Sequence, residues 1–330
     1  MEIGIREVAK KANVAISTVS RVLNNSGYVS EATKVKVLAA TEELGYRQNS
    51  IARSLRSKRS HFIGLLVPDI ANEFFSSLAS VIEQSVHDHG FSLFLCNTME
   101  NKEIENRYVE SLFDNQVMGI ILVSAGMKFN TSVLREDIPV VFLDRIGPGM
   151  VIPNRVFIEC DNEKGGCLAA EELLKRGARR FVFLGDQRNM HAMRNRKKGF
   201  SETLHANGIP ASNYYQDTVS VSALKAREKV KEIYASFPFD GIFCGTDLIA
   251  LGAMRGLADI GLSIPSDVQL IGFDGISSGE FTIPSMSTIR QDIEQMGRIA
   301  GESIIRMIKG DHDGKTILLP VDILARGTTK

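Results

Sequence analysis

Carboxylates, guanidinium groups, amides and aromatic rings recur in this 330-residue sequence just after short runs of aliphatic and β-branched residues. Asp69, Asn72, Phe74 and Phe75 follow the run 62–67, Asp144 and Arg145 follow 140–143, and Asp161 follows 156–160. Arg196 sits in Arg196-Lys197-Lys198-Gly199-Phe200, and Asp247 follows Gly245-Thr246. Asp274 follows Ile271-Gly272-Phe273, and Gln291 closes Ser287-Thr288-Ile289-Arg290-Gln291. This mixture suits a sugar, whose hydroxyls need both donors and acceptors and whose apolar ring face packs on a flat aromatic. Taken singly, each residue is more often a strand-end cap or a surface ion pair. The sequence offers no Gly-Lys-Ser/Thr phosphate loop, no Gly-x-Gly-x-x-Gly turn and no Gly-x-Ser-x-Gly elbow. Binding without catalysis is therefore expected, with no cofactor and no metal. His87 and His89, which flank Asp88, read as a solvated helix end.

The elements that must position this set follow from periodicity. Strand-length runs at 62–67, 91–96, 119–123, 140–143, 156–160, 180–184, 241–244 and 268–273 alternate with amphipathic segments at 75–89, 102–115, 165–176, 195–207, 222–236 and 247–260. That alternation predicts an α/β fold of doubly wound parallel sheets, with ligands beyond the carboxyl ends of the strands. The longest apolar runs are too short to span a bilayer. The start, Met1-Glu2-Ile3-Gly4-Ile5-Arg6-Glu7, lacks the basic head and apolar block of a secretion signal, so a cytoplasmic protein is expected. Cys96, Cys160, Cys167 and Cys244 are scattered without a Cys-x-x-Cys pair, as for reduced thiols.

The net charge of zero conceals an asymmetry: residues 1–59 hold eleven basic and five acidic side chains, a net +6, leaving −6 on the rest. A basic head on an acidic body suggests a polyanionic partner for the head alone. Ile5, Val8, Ala9 and Ala12 follow helical spacing, Asn13-Val14-Ala15 reads as a turn, and Val19, Val22 and Leu23 stripe a second helix over 16–24. Its other face carries Ser17, Thr18, Ser20 and Arg21. Ser30 is the expected N-cap of a third helix, with Val35, Leu38, Ala39 and Leu44 on its inner face and Gly45 at its end. Two short helices joined by a tight turn and backed by a third form a helix-turn-helix unit, although a small helical bundle without a DNA role has the same periodicity.

Ile5-Arg6-Glu7-Val8-Ala9, Val14-x-x-x-Thr18-Val19-Ser20-Arg21-Val22-Leu23-Asn24, Gly27-Tyr28-Val29-Ser30 and Glu43-Leu44-Gly45-Tyr46, in that order, resemble the lactose/galactose repressor (LacI/GalR) family. Asn49-Ser50-Ile51-Ala52-Arg53-Ser54-Leu55 is similar to that family's hinge. The resemblance implies a second helix lying in the major groove, where Arg21 makes a bidentate contact to guanine. It makes Ile16 and Ser17 specificity positions and gives phosphates to Thr18, Ser20 and Asn24. It also implies a hinge, with Asn49, Ala52, Leu55 and Arg56 at the DNA, that folds when two copies pair in the minor groove around Leu55 as an apolar wedge. Ala15 replaces the usual capping Ser and Gln48 a frequent Pro, departures that weaken the helix start and loosen the linker.

Residues 61–330 resemble the periplasmic sugar-binding proteins and the matching repressor core, most closely at ribose-type pockets. Asn72-x-Phe74-Phe75, Asp144-Arg145, Arg196-x-x-Gly199-Phe200, Phe273-Asp274-Gly275 and Gln291 carry that likeness. Thr246 replaces a usual Asn, Asp292 a common Pro and Glu73 another Pro, so related sugars, including a disaccharide, stay open. The implied organisation is a DNA-binding domain at 1–46, a hinge at 47–60 and a core at 61–330. Within the core, lobe 1 spans about 61–160 plus 292–320, and lobe 2 about 161–291 plus 321–330. The implied function is a homodimeric, sugar-released repressor on a pseudo-palindromic operator. The alternative is a catabolite-control-type regulator tightened on DNA by a phosphoprotein or sugar-phosphate corepressor.

Overall fold

The computed structural model of the chain describes residues 4–23, 26–46, 60–124, 133–144, 155–188, 190–311 and 314–329. The chain divides into two compact units, residues 1–60 and 61–330.

The first unit holds α1 (Ile5–Ala12), α2 (Ile16–Leu23) and α3 (Glu31–Glu43). The Glu7 carboxylate accepts the Gly4 amide at 3.0 Å and closes the start of α1. Asn13 ends that helix in the left-handed region (φ 51°), which Asn tolerates better than most residues. At α2 the side chain of Ala15 offers no acceptor, and the amides of Thr18 and Val19 both reach the Ala15 carbonyl. Ser30 caps α3 as expected, accepting from the Thr33 amide. Val8, Ala9, Ala12, Val19, Val22, Val37 and Ala40 form the core.

One expectation about α3 is corrected. Val37 and Ala40 are buried, whereas Val35 and Leu38 are 60% and 46% exposed and Ala39 is also exposed. Leu44, as expected, packs partly buried against the core. The reason lies in the sequence itself. Apolar residues occur on several faces of this helix, and Thr33, Val37, Ala40 and Leu44 share a face at helical spacing as well as Val35, Leu38 and Ala39 do.

The second unit begins with β1 (Phe62–Val67), α4 (Glu73–His87), β2 (Ser92–Asn97), α5 (Lys102–Asp114), β3 (Gly119–Leu122), β4 (Val140–Leu143) and β5 (Arg155–Cys160). It continues with α6 (Asn162–Lys175), β6 (Phe181–Asp186), α7 (His191–Ala206), β7 (Tyr214–Val219), α8 (Ala223–Ser236), β8 (Gly241–Cys244) and α9 (Asp247–Asp259). The last elements are β9 (Gln269–Asp274), β10 (Ser287–Gln291), α10 (Ile293–Ile308), β11 (Lys315–Leu319) and β12 (Val321–Leu324). They build two six-stranded sheets, ordered β11-β5-β4-β3-β1-β2 and β12-β10-β9-β8-β6-β7. All neighbours are parallel except β10 and β12. Helices cover the faces, so central strands such as β3, β4, β6, β8 and β9 are buried along their whole length and read as continuous apolar runs.

The chain passes between the sheets after β5, after β10, and again between β11 and β12. Helix α10 therefore returns to pack on α4 beside the first sheet. The cysteines are free thiols, with Cys96, Cys160 and Cys244 buried. Among the described residues no helix is long and apolar enough to cross a membrane.

Candidate functional site

The carboxyl ends of the two parallel sheets face a common cleft of about 460 Å³, its open mouth included. One wall starts at the N-terminus of α4. Asn72 caps that helix, its side-chain oxygen accepting from the Phe74 amide at 3.0 Å, which leaves its amide nitrogen to donate into the cleft. Phe74 and Phe75 stand edge to face, centroids 5.2 Å apart, and supply the flat apolar surface.

Arg196 of α7 enters from the other side and is only 3% exposed. Its Nε donates to Asn162 Oδ1 and a terminal nitrogen donates to the Gly245 carbonyl, both at 2.8 Å. The guanidinium carbon lies 3.5 Å from the centre of the Phe273 ring. So held, the group stands 3.6 Å from Asp274 and 4.0 Å from Asp144. Asp144 Oδ1 and Gln291 Oε1 are buried without a hydrogen-bond partner among the described residues. Asp144 lines the cleft, where such an acceptor suits a sugar hydroxyl.

Two of these carboxylates sit on unfavourable backbone. Asp144 has φ 60° and Asp274 φ 131°, conformations costing about 1–3 kcal/mol each in a residue with a Cβ. Asp144 follows directly on β4 and Asp274 is the last residue of β9, and both line the cleft.

Burial pushes the Asp274 carboxyl well above the usual range, with the charges of Asp247 and Asp144 adding to that. Arg196 and a hydrogen bond from Gln291 work the other way. Burial likewise pushes Asp247 up to about 6, against the hydrogen bonds it accepts from Thr288, Ile276 and Gly275. A carboxyl whose folded pKa exceeds its unfolded value of 3.8 holds its proton more tightly when folded. Its contribution to stability is therefore greatest in acid and is lost as pH rises through the folded pKa. For Asp247 this window runs from about pH 4 to about pH 6. We expect wild-type unfolding free energy, measured in urea without ligand and referred to Asp247→Asn, to fall across that window. A difference that does not change with pH would show that Asp247 is not the group responsible.

Two carboxylates tie the first-sheet half of the unit to the second across the cleft. Glu73, next to Asn72, accepts from the Ser277 amide at 2.7 Å, the Ser277 hydroxyl at 2.6 Å and the Ser278 amide at 3.1 Å. Glu100, on the loop after β2, pairs with Arg188, which Asp186 at the end of β6 holds by its Nε and a terminal nitrogen.

The cleft thus gathers Asn72, Phe74, Phe75, Asp144, Arg196 and Asp274 from the set read in the sequence, with Thr246 on the wall. It does not gather all of that set. Asp161 caps α6, accepting the Lys164 amide at 2.9 Å. Asp247 is fully buried and holds the turn after β9, accepting the Gly275 and Ile276 amides and the Thr288 hydroxyl. Gln291 donates to Asp274 at 2.9 Å and stands behind it. Arg145 lies outside the described residues. The sequence reading missed Asp186, Arg188, Met190, Met193 and Val221, which also line the cleft. Asp186 closes β6 and was open to the same strand-end rule.

On the first unit, Ile16, Ser17 and Arg21 are exposed along α2, while Thr18 and Ser20 are half-buried. Asn24, Asn49, Ala52, Leu55 and Arg56 lie outside the described residues, as does Gln48.

Known proteins bear on both units. Residues 4–49 match the family described as bacterial regulatory proteins, lacI family, and residues 170–329 match the periplasmic binding protein-like domain. A ribose operon repressor of Halalkalibacterium halodurans is 36% identical over 332 residues, covering 99% of this chain and 97% of that protein. The crystal structure of the lac repressor dimer bound to operator and an anti-inducer superposes with a TM-score of 0.88 at 25% identity, covering 100% of this chain and 99% of its own. A LacI-family regulator from Enterococcus faecium with bound ribose gives 0.74 at 28% identity, over 81% of this chain and 98% of its own.

Proposed function

This chain belongs to the lacI family of bacterial regulatory proteins, and from that premise we propose that it is the repressor of a sugar-utilisation operon. It binds a pseudo-palindromic operator as a homodimer and leaves it when ribose or a related sugar fills the cleft. The observation that carries the sugar reading is the buried, unpartnered acceptor Asp144 Oδ1, which lines the cleft beside Arg196 together with Phe74 and Phe75. The described wall carries three carboxylates, Asp144, Asp186 and Asp274, against two guanidinium groups, Arg188 and Arg196, both already held by protein acceptors. This balance disfavours a sugar phosphate, so release by a neutral sugar is preferred to the corepressor scheme.

In this reading Asn72, Phe74, Phe75, Asp144, Arg145, Arg196 and Asp274 touch the sugar, while Gln291 and Asp247 hold that constellation in place. Asp161 is left as a helix cap. The lobes are the two sheets with their covering helices, so α10 and β11 belong with the first and β12 with the second. A sugar gripped by both lobes favours one lobe spacing over another, and its releasing power equals its differential affinity for the two. The protein acts in the cytoplasm and catalyses nothing.

At the operator, Arg21 reads guanine, Ile16 and Ser17 set sequence preference, and Thr18, Ser20 and Asn24 meet phosphates. The hinge residues Asn49, Ala52, Leu55 and Arg56 enter the minor groove. A mobility-shift titration with the operator upstream of the repressed genes tests the scheme: ribose is expected to release the protein, and tightening would favour corepression. Arg21→Ala is expected to weaken operator binding about 10- to 100-fold, with a much smaller loss on unrelated DNA. Equal losses on both would remove its base-reading role.

A further inference from the structure

We propose that the Glu100–Arg188 bridge sets the size of ligand the cleft accepts, closing its mouth over a single sugar ring; this rests on the sugar reading of the cleft. Arg188 lines the same cleft as Phe74, Asp144 and Arg196 but lies nearer its mouth: its side chain is 25% exposed, against 4% for Arg196. One face of its guanidinium group is forked onto Asp186, Nε donating at 3.0 and 2.8 Å, and its backbone amide donates to the same carboxylate. The remaining terminal nitrogen reaches over to Glu100.

The backbone at Glu100 is fixed as well. Met99 and Glu100 both lie in the left-handed region (φ 52° and 55°), and the Glu100 amide donates to the Pro68 carbonyl at 3.0 Å. An exposed ion pair between free side chains contributes little, because two long chains must be ordered to form it. Here the Arg188 side chain is already held by Asp186 and the Glu100 backbone is fixed, so the pairing loses less conformational freedom on closing. The bridge joins the ends of β2 and β6, while Glu73 joins the ends of β1 and β9 through Ser277 and Ser278. A ligand lying on Phe74 and Phe75 is thus bounded at two places by links between the halves. A second ring has to displace Arg188 from Glu100.

Titration calorimetry on the full chain with D-ribose and with sucrose, for wild type, Glu100→Gln and Glu100→Ala, tests this. The wild type is expected to bind ribose and reject sucrose. Both variants are expected to keep ribose affinity within about threefold and gain at least about tenfold in sucrose affinity. Variants that fold, bind ribose and reject sucrose as the wild type does would overturn the gate and leave the sugar reading intact. So would a wild type that binds sucrose as tightly as ribose. A wild type that binds no sugar would overturn both.

Discussion

Replacing Arg196 with methionine is expected to abolish sugar binding, leave the repressor on its operator at any sugar concentration, and destabilise the core by about 3–5 kcal/mol. The side chain is 3% exposed, so water does not readily take its place. Its loss leaves the Asn162 side-chain oxygen and the Gly245 carbonyl without their donor. It also takes the positive charge from between Asp144 and Asp274. Those carboxylates are 6% and 5% exposed and cannot recover that loss from water. Methionine fills much of the same volume, so a cavity is not the reason for the loss. Arg196→Lys keeps the charge without the planar fork and is expected to recover part of the stability but little of the sugar affinity. Urea unfolding and a sugar titration of the operator complex read the two effects separately. Full sugar release by the methionine variant would remove Arg196 from the site.

Gly199→Ala is expected to have a smaller effect of the same kind although residue 199 is not among the residues lining the cleft. Helices α6 and α7 approach so closely that a Cβ at Gly199 would collide with the Glu163 carbonyl, and one at Gly166 with the carbonyl of Arg196 itself. Backbone cannot step aside as a flexible side chain can, so the added methyl forces the helices apart. Overpacking of this kind costs about 1–3 kcal/mol, and α7 is the helix that delivers Arg196. Both lower stability and at least tenfold weaker ribose binding are expected, seen as a lower urea midpoint and by calorimetry. A stable variant with wild-type ribose affinity would show that the helix contact does not position the guanidinium group. In the sequence, Gly199 belonged only to a family pattern; the structure supplies the reason for it.

Much of the architecture was legible in the sequence because it is written in neighbouring residues. Alternating apolar runs and amphipathic segments marked the parallel sheets, and Ser30 marked the start of α3 through a hydrogen bond three residues long. The buried central strands were plain for the same reason. The edge strand β7 was not singled out, since Tyr214-Tyr215-Gln216-Asp217-Thr218-Val219 is partly exposed and carries no apolar run. The inner face of α3 was misread because its composition allowed more than one stripe.

By itself, the sequence determined the family, the helix-turn-helix head, the wound sheets and the rule that strand ends hold the site, since these rest on local periodicity, capping and motif order. The tertiary structure decided which strand-end carboxylates reach the cleft. Asp144, Asp186 and Asp274 line the cleft, whereas Asp161 is used as a cap and Asp247 as the brace of a turn. It also decided what bridges the cleft: Glu73 meets Ser277 at a separation of 204 residues, and Glu100 finds Arg188. The physical reason is the same in each case. A side chain's neighbours in the chain set its secondary structure, but the direction it points in the cleft depends on how two separately twisted sheets come to face each other.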